Sequence, residues 1–315
     1  MKINENHRKM LKIVTMYYEQ GLTQAIIAKK MGISRPVISK MLQQAKESGI
    51  VSISIKDESA YAVQLGLRLE KKYQLDDVIV IPTNEQKQHE IVKKEVSRTA
   101  AYYLRERLKP EMDIGLSWGT TLADLIDEMP YQSFPTINVS PLVGGVSSEH
   151  LYFDTNHLVF RLAEKLNSRC QYFYAPALAE SIELANILNQ SQLVGQALEQ
   201  AKKVDLAIIG VGNPNQSSTW KRLGYIGTKE LQIISKTGVK GDAVASLFDK
   251  NGQTVNNEIS KRMLGIKVED LVNIPEVMVI GCGEEKVDSI QPLLLGKCCT
   301  ILIIDQKIAE ALIAR

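Results

Sequence analysis

Cysteine is scarce in this chain of 315 residues: there are four, Cys170, Cys282, Cys298 and Cys299. They show no CxxC spacing and no accompanying histidine cluster, which argues against a zinc site and a disulfide framework and leaves buried free thiols as the expectation. Histidine is as rare, with His7, His89, His150 and His157. There is no HExxH, no Ser, His and acid arrangement, and no pair of carboxylates set at a strand end. Each histidine is therefore read as surface or structural, no catalytic residue is assigned, and neither a cofactor nor a metal is expected. No run of about 18 apolar residues occurs, and Met1 to Gly21 holds no apolar stretch of signal-peptide length. A cytoplasmic protein with no membrane partner is expected.

What is present is ordinary in amount and uneven in placement. Hydrophobic residues at 44% and charged residues at 23% suit a folded protein, and the length suits two domains. The net charge of +2 hides an asymmetry: residues 1–56 carry ten Lys and Arg against three Glu, a net of +7, which leaves −5 for the remainder. A basic head on a mildly acidic body suits DNA binding, because neutralising phosphates is the sequence-independent part of DNA affinity.

Within the head, Leu22 to Gly49 reads as two short helices joined by a tight turn at Met31-Gly32-Ile33, with Thr23 and Ser34 placed as caps. Ile26, Ile27 and Met31 on the first helix, and Val37, Ile38, Met41 and Leu42 on the second, recur at helical spacing. A preceding helix over residues 5–19, with Leu11, Val14, Tyr17 and Tyr18 as its apolar stripe, would support them. The opposite face of the second helix offers Arg35, Ser39, Lys40 and Gln43, side chains that hydrogen-bond base edges and phosphates in a major groove. With Thr23, Gln24 and Ser34 at the helix starts, these are the candidate DNA-binding residues of a helix-turn-helix. The alternation Ile50 to Lys56 predicts a strand, the wing of a winged variant. An amphipathic helix over 62–73 follows, whose Leu65, Leu67 and Leu69 can pack on a partner subunit or on the body; it is the expected relay between the two.

From Asp77 onward short apolar strands alternate with helices, the pattern of a mostly parallel sheet covered on both faces. The expected strands are Val78–Ile81, Ile114–Ser117, Ile137–Leu142, Gln171–Tyr174, Leu206–Val211, Ala245–Phe248, Val277–Gly281 and Thr300–Ile304. Helices are expected over His89–Leu108, Thr121–Glu128, Thr155–Leu166, Leu193–Lys202, Lys286–Leu295 and Gln306–Ala314. The fold class is thus α/β, an N-terminal winged helix-turn-helix domain over 1–56, a linker and helix over 57–76, and a Rossmann-like effector and oligomerisation domain over 77–315.

Ligands of such sheets bind beyond the strand ends, where strand order reverses. The sharpest loop there is Ile114 to Ala123, IGLSWGTTLA, where Gly119 admits close approach of a ligand and the amides of the next helix, with the hydroxyls of Ser117, Thr120 and Thr121, form a cup for an anion. It has no lysine and no GxxxxGK[ST], so it suits a sugar phosphate better than a nucleotide. Thr120 as a plain cap and Gly119 as a plain turn residue are the competing description. Gly144 and Gly145, after another strand, would expose amides on the cleft floor. Gly210-Val211-Gly212 is a weaker candidate of the same kind. Lys240 to Ala243 is expected as a loop whose Asp242 accepts bonds from sugar hydroxyls. Lys286, at a helix start where a cation opposes the dipole, could reach a phosphate.

Several motifs together resemble the SorC family of sugar-binding bacterial transcriptional regulators, in particular its branch containing the deoxyribonucleoside regulator. They are YYEQGLTQAIIAKKMGISRPVISKMLQQAKESGIV from Tyr17, GLSWGTTLADL from Gly115, PLVGGVS from Pro141, VDLAIIGVGN from Val204, RLGYIG from Arg222, VKGDAVASLFDKNG from Val239, GCGEEK from Gly281 and ILIIDQKIAEAL from Ile301. The resemblance implies an effector domain similar in fold to phosphosugar isomerases but kept for binding. It also implies dimers or tetramers on operator DNA, a phosphate on Gly119, Thr120 and Thr121 near Lys286, and a sugar contacted by the Gly144-Gly145 loop, Asn156 and Asp242. Some relatives have a basic residue where this chain has Val143; valine has no amine for a Schiff base, so noncovalent binding is expected. Two rival readings stand beside the regulator: a sugar-phosphate isomerase or deaminase-like enzyme with a basic N-terminal module, and a body that only oligomerises.

Overall fold

Three fully buried isoleucines, Ile13, Ile27 and Ile38, organise the first of two units, Met1–Ala60 and Tyr61–Arg315. The computed structural model describes residues 5–53, 57, 59–83, 88–146, 148–214, 216, 219–225 and 227–315. In the first unit, α1 (Glu5–Val14) runs into a π-helical turn at Thr15–Glu19, α2 spans Gln24–Met31 and α3 spans Arg35–Glu47. The expected single helix to residue 19 is thus interrupted: the Gln20 amide donates to the Thr15 carbonyl at 3.1 Å, the i→i+5 bond of a π-turn. This register makes Ile13 the buried residue of α1, while Leu11 and Tyr18 are exposed. Likewise Ile26 and Val37 are exposed, and Ile38 and Leu42 face inward with Ala45.

Thr23 starts α2 as expected, its Oγ1 accepting from the Ile26 amide at 3.3 Å. Gly32, at φ +66°, ends it, and the Ile33 amide returns to the Ala28 carbonyl at 3.2 Å. A left-handed closure of this kind suits glycine. Ser34 holds the extended N-cap conformation of α3 but makes no side-chain cap; Pro36 presets the first turn instead. Ile50 to Ile53 are bend and coil rather than the expected wing strand, whose remaining residues 54–56 lie outside the described residues.

Among its described residues the second unit holds nine strands: β1 (Asp77–Ile81), β2 (Asp113–Leu116), β3 (Asn138–Pro141), β4 (Arg169–Cys170), β5 (Leu206–Gly210), β6 (Gly241–Ala243), β7 (Ser246–Phe248), β8 (Glu276–Gly281) and β9 (Ile301–Asp305). Seven form one parallel sheet, ordered β1-β9-β8-β5-β2-β3-β4. Strand period two divides their side chains between two cores. Ala207, Ile209, Val277, Val279, Leu302 and Ile304 face one side, and Leu206, Ile208, Met278, Ile280, Ile301 and Ile303 the other. Both faces being covered is why these strands read as nearly continuous apolar runs.

α4 (Ala60–Tyr73) belongs to this unit: Ala62, Leu65 and Leu69 lie in the first core, whereas Leu67 is exposed. Lys72 Nζ and Tyr73 OH both donate to the Leu312 carbonyl, at 3.0 and 3.3 Å. Of the two places expected for this helix, a partner subunit or the body, Leu65 and Leu69 take the body.

Three other expectations change. Gln171 to Tyr174 is not a strand: after the Gln171 amide bonds Val139, the Asn156 carboxamide takes over both main-chain groups of Phe173. Ala245–Phe248 is not in the sheet, because β7 pairs antiparallel with β6 as a separate hairpin. Gly241–Ala243 is accordingly strand rather than loop. Helices at Ile182–Gln190 and Thr228–Lys236 were not anticipated.

Candidate functional site

Chain order reverses across the sheet between β2 and β5: β3 and β4 follow β2 on one side, and β5, β8 and β9 lie on the other. Beyond the carboxyl ends of those two strands opens a narrow cleft lined by Trp118, Gly119, Thr120, Thr121, Gly210, Val211, Gly212, Thr219, Asp242, Ala243 and Lys286. This is the position at which open α/β sheets bind ligands.

Each wall has a local cause. β2 ends at Leu116, and Gly119, at φ +120°, turns the chain into the helix Thr120–Glu128. No side chain caps that helix, and its first internal bond runs from the Ala123 amide to the Gly119 carbonyl at 3.0 Å. The earlier amides, having no carbonyl within the helix, sit with the positive end of its dipole at the cleft. Opposite, the amides and carbonyls of Gly212 and Asp242 exchange bonds of 2.8 and 3.0 Å, which fastens the β6 hairpin to the end of β5. A Cβ at position 212 would overlap the Asp242 carboxylate, so glycine is required there. Asp242 is 3% exposed, yet it lines the cleft. Lys286 enters from the turn after β8, near the point where Asn213 Nδ2 donates to the Glu285 carbonyl at 3.0 Å.

Of the expected ligand residues, the fold brings Gly119, Thr120, Thr121, Asp242 and Lys286 to one cleft. Four others lie elsewhere. Ser117 is buried, its amide on the Ile208 carbonyl and its hydroxyl without a protein partner. Gly144 and Gly145 do not expose amides: these donate to Leu264 and Ala175 at 3.0 and 2.9 Å, and a Cβ at 144 would overlap the Pro176 backbone. Asn156 is occupied by Phe173. Val143 is fully buried beside Trp118 and Trp220 and brings no amine. Trp118 and Thr219 were missed; Trp118 stood inside the cup motif, and Trp220 stacks on it edge to face at 4.5 Å, but Thr219 carried no signal in the sequence.

In the first unit, the residues singled out for DNA lie at the surface: Arg35, Ser39, Lys40 and Gln43 on α3, with Thr23 and Ser34, are exposed, and Gln24 is half-buried. Gln43 Nε2 donates to Glu47 at 2.8 Å. Arg35 and Gln24 share a groove with Tyr17, Gly21 and Thr23.

Residues 57–314 match the family described as "Putative sugar-binding domain". Over 311 residues the chain is 29% identical to the deoxyribonucleoside regulator of Bacillus subtilis (strain 168), covering 98% of each protein. Over 318 residues it is 29% identical to the sorbitol operon regulator of Klebsiella pneumoniae, covering 99% of this chain and 100% of the other. The chain belongs to the SorC family of sugar-binding transcriptional regulators. The crystal structure of full-length SorC from Klebsiella pneumoniae aligns with a TM-score of 0.76 at 28% identity, covering 98% of this chain and all of that one. A DeoR family regulator from Listeria monocytogenes gives 0.74 at 29% identity over 80% of this chain and 99% of its own. For a SorC-family chain, relatives matched along the whole length are regulators of transcription, not enzymes, and the isomerase reading is not favoured. No described helix is long and apolar enough to cross a membrane.

Proposed function

We propose that this SorC-family regulator places α3 in the major groove of operator DNA as the second helix of a helix-turn-helix. It would do so in response to a phosphorylated sugar held noncovalently in the cleft at β2 and β5. The phosphate lies on the amides and hydroxyls of Gly119, Thr120 and Thr121, with Lys286 as the nearby point charge. Asp242 accepts from sugar hydroxyls, and Trp118 and Thr219 complete the walls. The observation that carries this reading is an uncapped helix N-terminus at the sheet's reversal point, with a lysine and a buried carboxylate on the same cleft. Cation and amides suit an anionic group, and the carboxylate suits polyol hydroxyls.

The protein acts as a homodimer or homotetramer, spacing two or more heads over operator half-sites. Effector and operator must then be coupled reciprocally, each changing the other's affinity by the same factor. The test is thermal unfolding of the full chain across a panel of sugars, polyols and their phosphates, with and without operator duplex. A phosphorylated sugar should raise the transition temperature, and operator should change the concentration needed. A panel without effect would sink the proposal.

A further inference from the structure

A second pocket, of about 550 Å³ and open to solvent, lies between the helix Ile182–Gln190 and the segment 254–267, and shares no lining residue with the cleft above. Its polar lining includes Lys267, Lys261, Ser260, Thr254, Asn186 and Asn189, and among the described residues no carboxylate. Lys267 is partly buried and held in place: Nζ donates to the Ala245 and Met263 carbonyls at 2.8 and 2.9 Å. An ammonium carries three donors, so one N–H has no partner among the described residues. Ser260 is 6% exposed, and its hydroxyl, on the same wall, finds no hydrogen bond in the protein. A buried hydroxyl without a partner is costly, and a ligand oxygen would recover that cost.

We propose that this cavity is a second small-molecule site, for an anion bearing a phosphate or carboxylate group, with Lys267 as anchor, Ser260 as donor and Lys261 at the rim. Lys267 and Lys261 with the neutral donors of the lining favour negative charge; Glu269 and Asp270 stand near Lys267 but outside the lining, Glu269 accepting from Thr254 and Asp270 from the Lys267 amide. Burial draws the Lys267 ammonium down to about 8, a cost that a bound anion offsets. The inference is independent of the sugar-phosphate reading of the first cleft. It also places both sites on one hairpin, since Lys267 holds the Ala245 carbonyl and Asp242 lies on β6.

The experiment titrates the full-length protein with inorganic phosphate and, separately, citrate, following thermal unfolding and heats of binding. It compares wild type with Lys267→Gln, Lys261→Glu, Ser260→Ala and the first-cleft double variant Thr120→Val/Thr121→Val. In the double variant, whose first-cleft cup is removed, one or both anions should still bind, with the affinity that the second cavity shows in wild type. Binding should weaken about tenfold or more in Lys267→Gln and Lys261→Glu, and less in Ser260→Ala. Response to phosphate alone or to citrate alone assigns the anion class. Lys261 is exposed, so its variant tests the site even if Lys267→Gln does not fold. The proposal is overturned if neither anion binds, if Lys261→Glu and Ser260→Ala bind as wild type, or if the double variant alone loses binding.

Discussion

The two units differ in how their order is secured. The amino-terminal unit rests on one small core of Ile13, Ile27, Ile38 and Leu42, its helices defined by local devices: a threonine cap, a left-handed glycine and an N-terminal proline. The carboxy-terminal unit rests on two extensive cores either side of a sheet whose neighbours are far apart in sequence, such as β1 beside β9. A chain of about 60 residues buries a smaller share of its surface and is correspondingly marginal. Local signals therefore carry more of the first unit, and long-range packing more of the second.

The largest expected effect breaks that contrast directly. Ile38→Ala removes a fully buried side chain from the small core and should cost about 2 to 5 kcal/mol, comparable with the whole stability of such a unit. Limited proteolysis should then cut within residues 1–60 while leaving the remainder intact; equal loss of both units would refute their independence.

In the second unit, Lys267 offers a pH probe. Its folded value near 8 lies below the ordinary 10.5, so between those values the unfolded state binds more protons and stability rises with pH. The window from pH 8 to 9.5 should show a gain of about 1.5 to 2 kcal/mol in denaturant unfolding. Lys267→Met should flatten that slope, and an unchanged slope would assign it to other groups.

Thr121→Val keeps the shape of the cleft and removes a hydroxyl from the proposed anion cup. Effector affinity should fall by about 1.5 to 3 kcal/mol if the phosphate is charged and bonded there, with DNA affinity in the absence of effector unchanged. Calorimetry and gel shift read the two separately. On α3, Arg35→Ala should lose about 1 to 3 kcal/mol of discrimination between operator and scrambled duplex, whereas Lys29→Ala should weaken both alike. Equal loss for Arg35→Ala would move that residue to the phosphate contacts. The smallest effect is Thr23→Ala, about 1 kcal/mol of first-unit stability, since its cap is a single 3.3 Å bond.

The same contrast explains what was legible beforehand. Capping and periodicity located α2, α3 and six of the seven strands of the main sheet, because those signals lie within a few residues of the structure they specify. They erred where a distant group intervened. Asn156 ends the ladder at Phe173, and Asp242 draws β6 against Gly212, turning an expected loop into a hairpin. The glycine pair at 144–145 illustrates the limit best. Absence of a side chain can admit a ligand or a neighbouring backbone, and here the Pro176 segment occupies the space.

From its sequence alone this protein was determined to have a basic head with two short helices, the first capped by a threonine, and a body of alternating strands and helices. Those properties follow from local composition and spacing. Only the tertiary structure decided that Thr120, Asp242 and Lys286, separated by up to 166 positions, line one cleft while Asn156 and Gly144 brace its surroundings. It also decided that Lys267 and Ser260 share a cavity of their own. The reason is physical: a parallel sheet gathers its loops by strand order, and strand order is set by which apolar surfaces cover each other, not by neighbours in the chain.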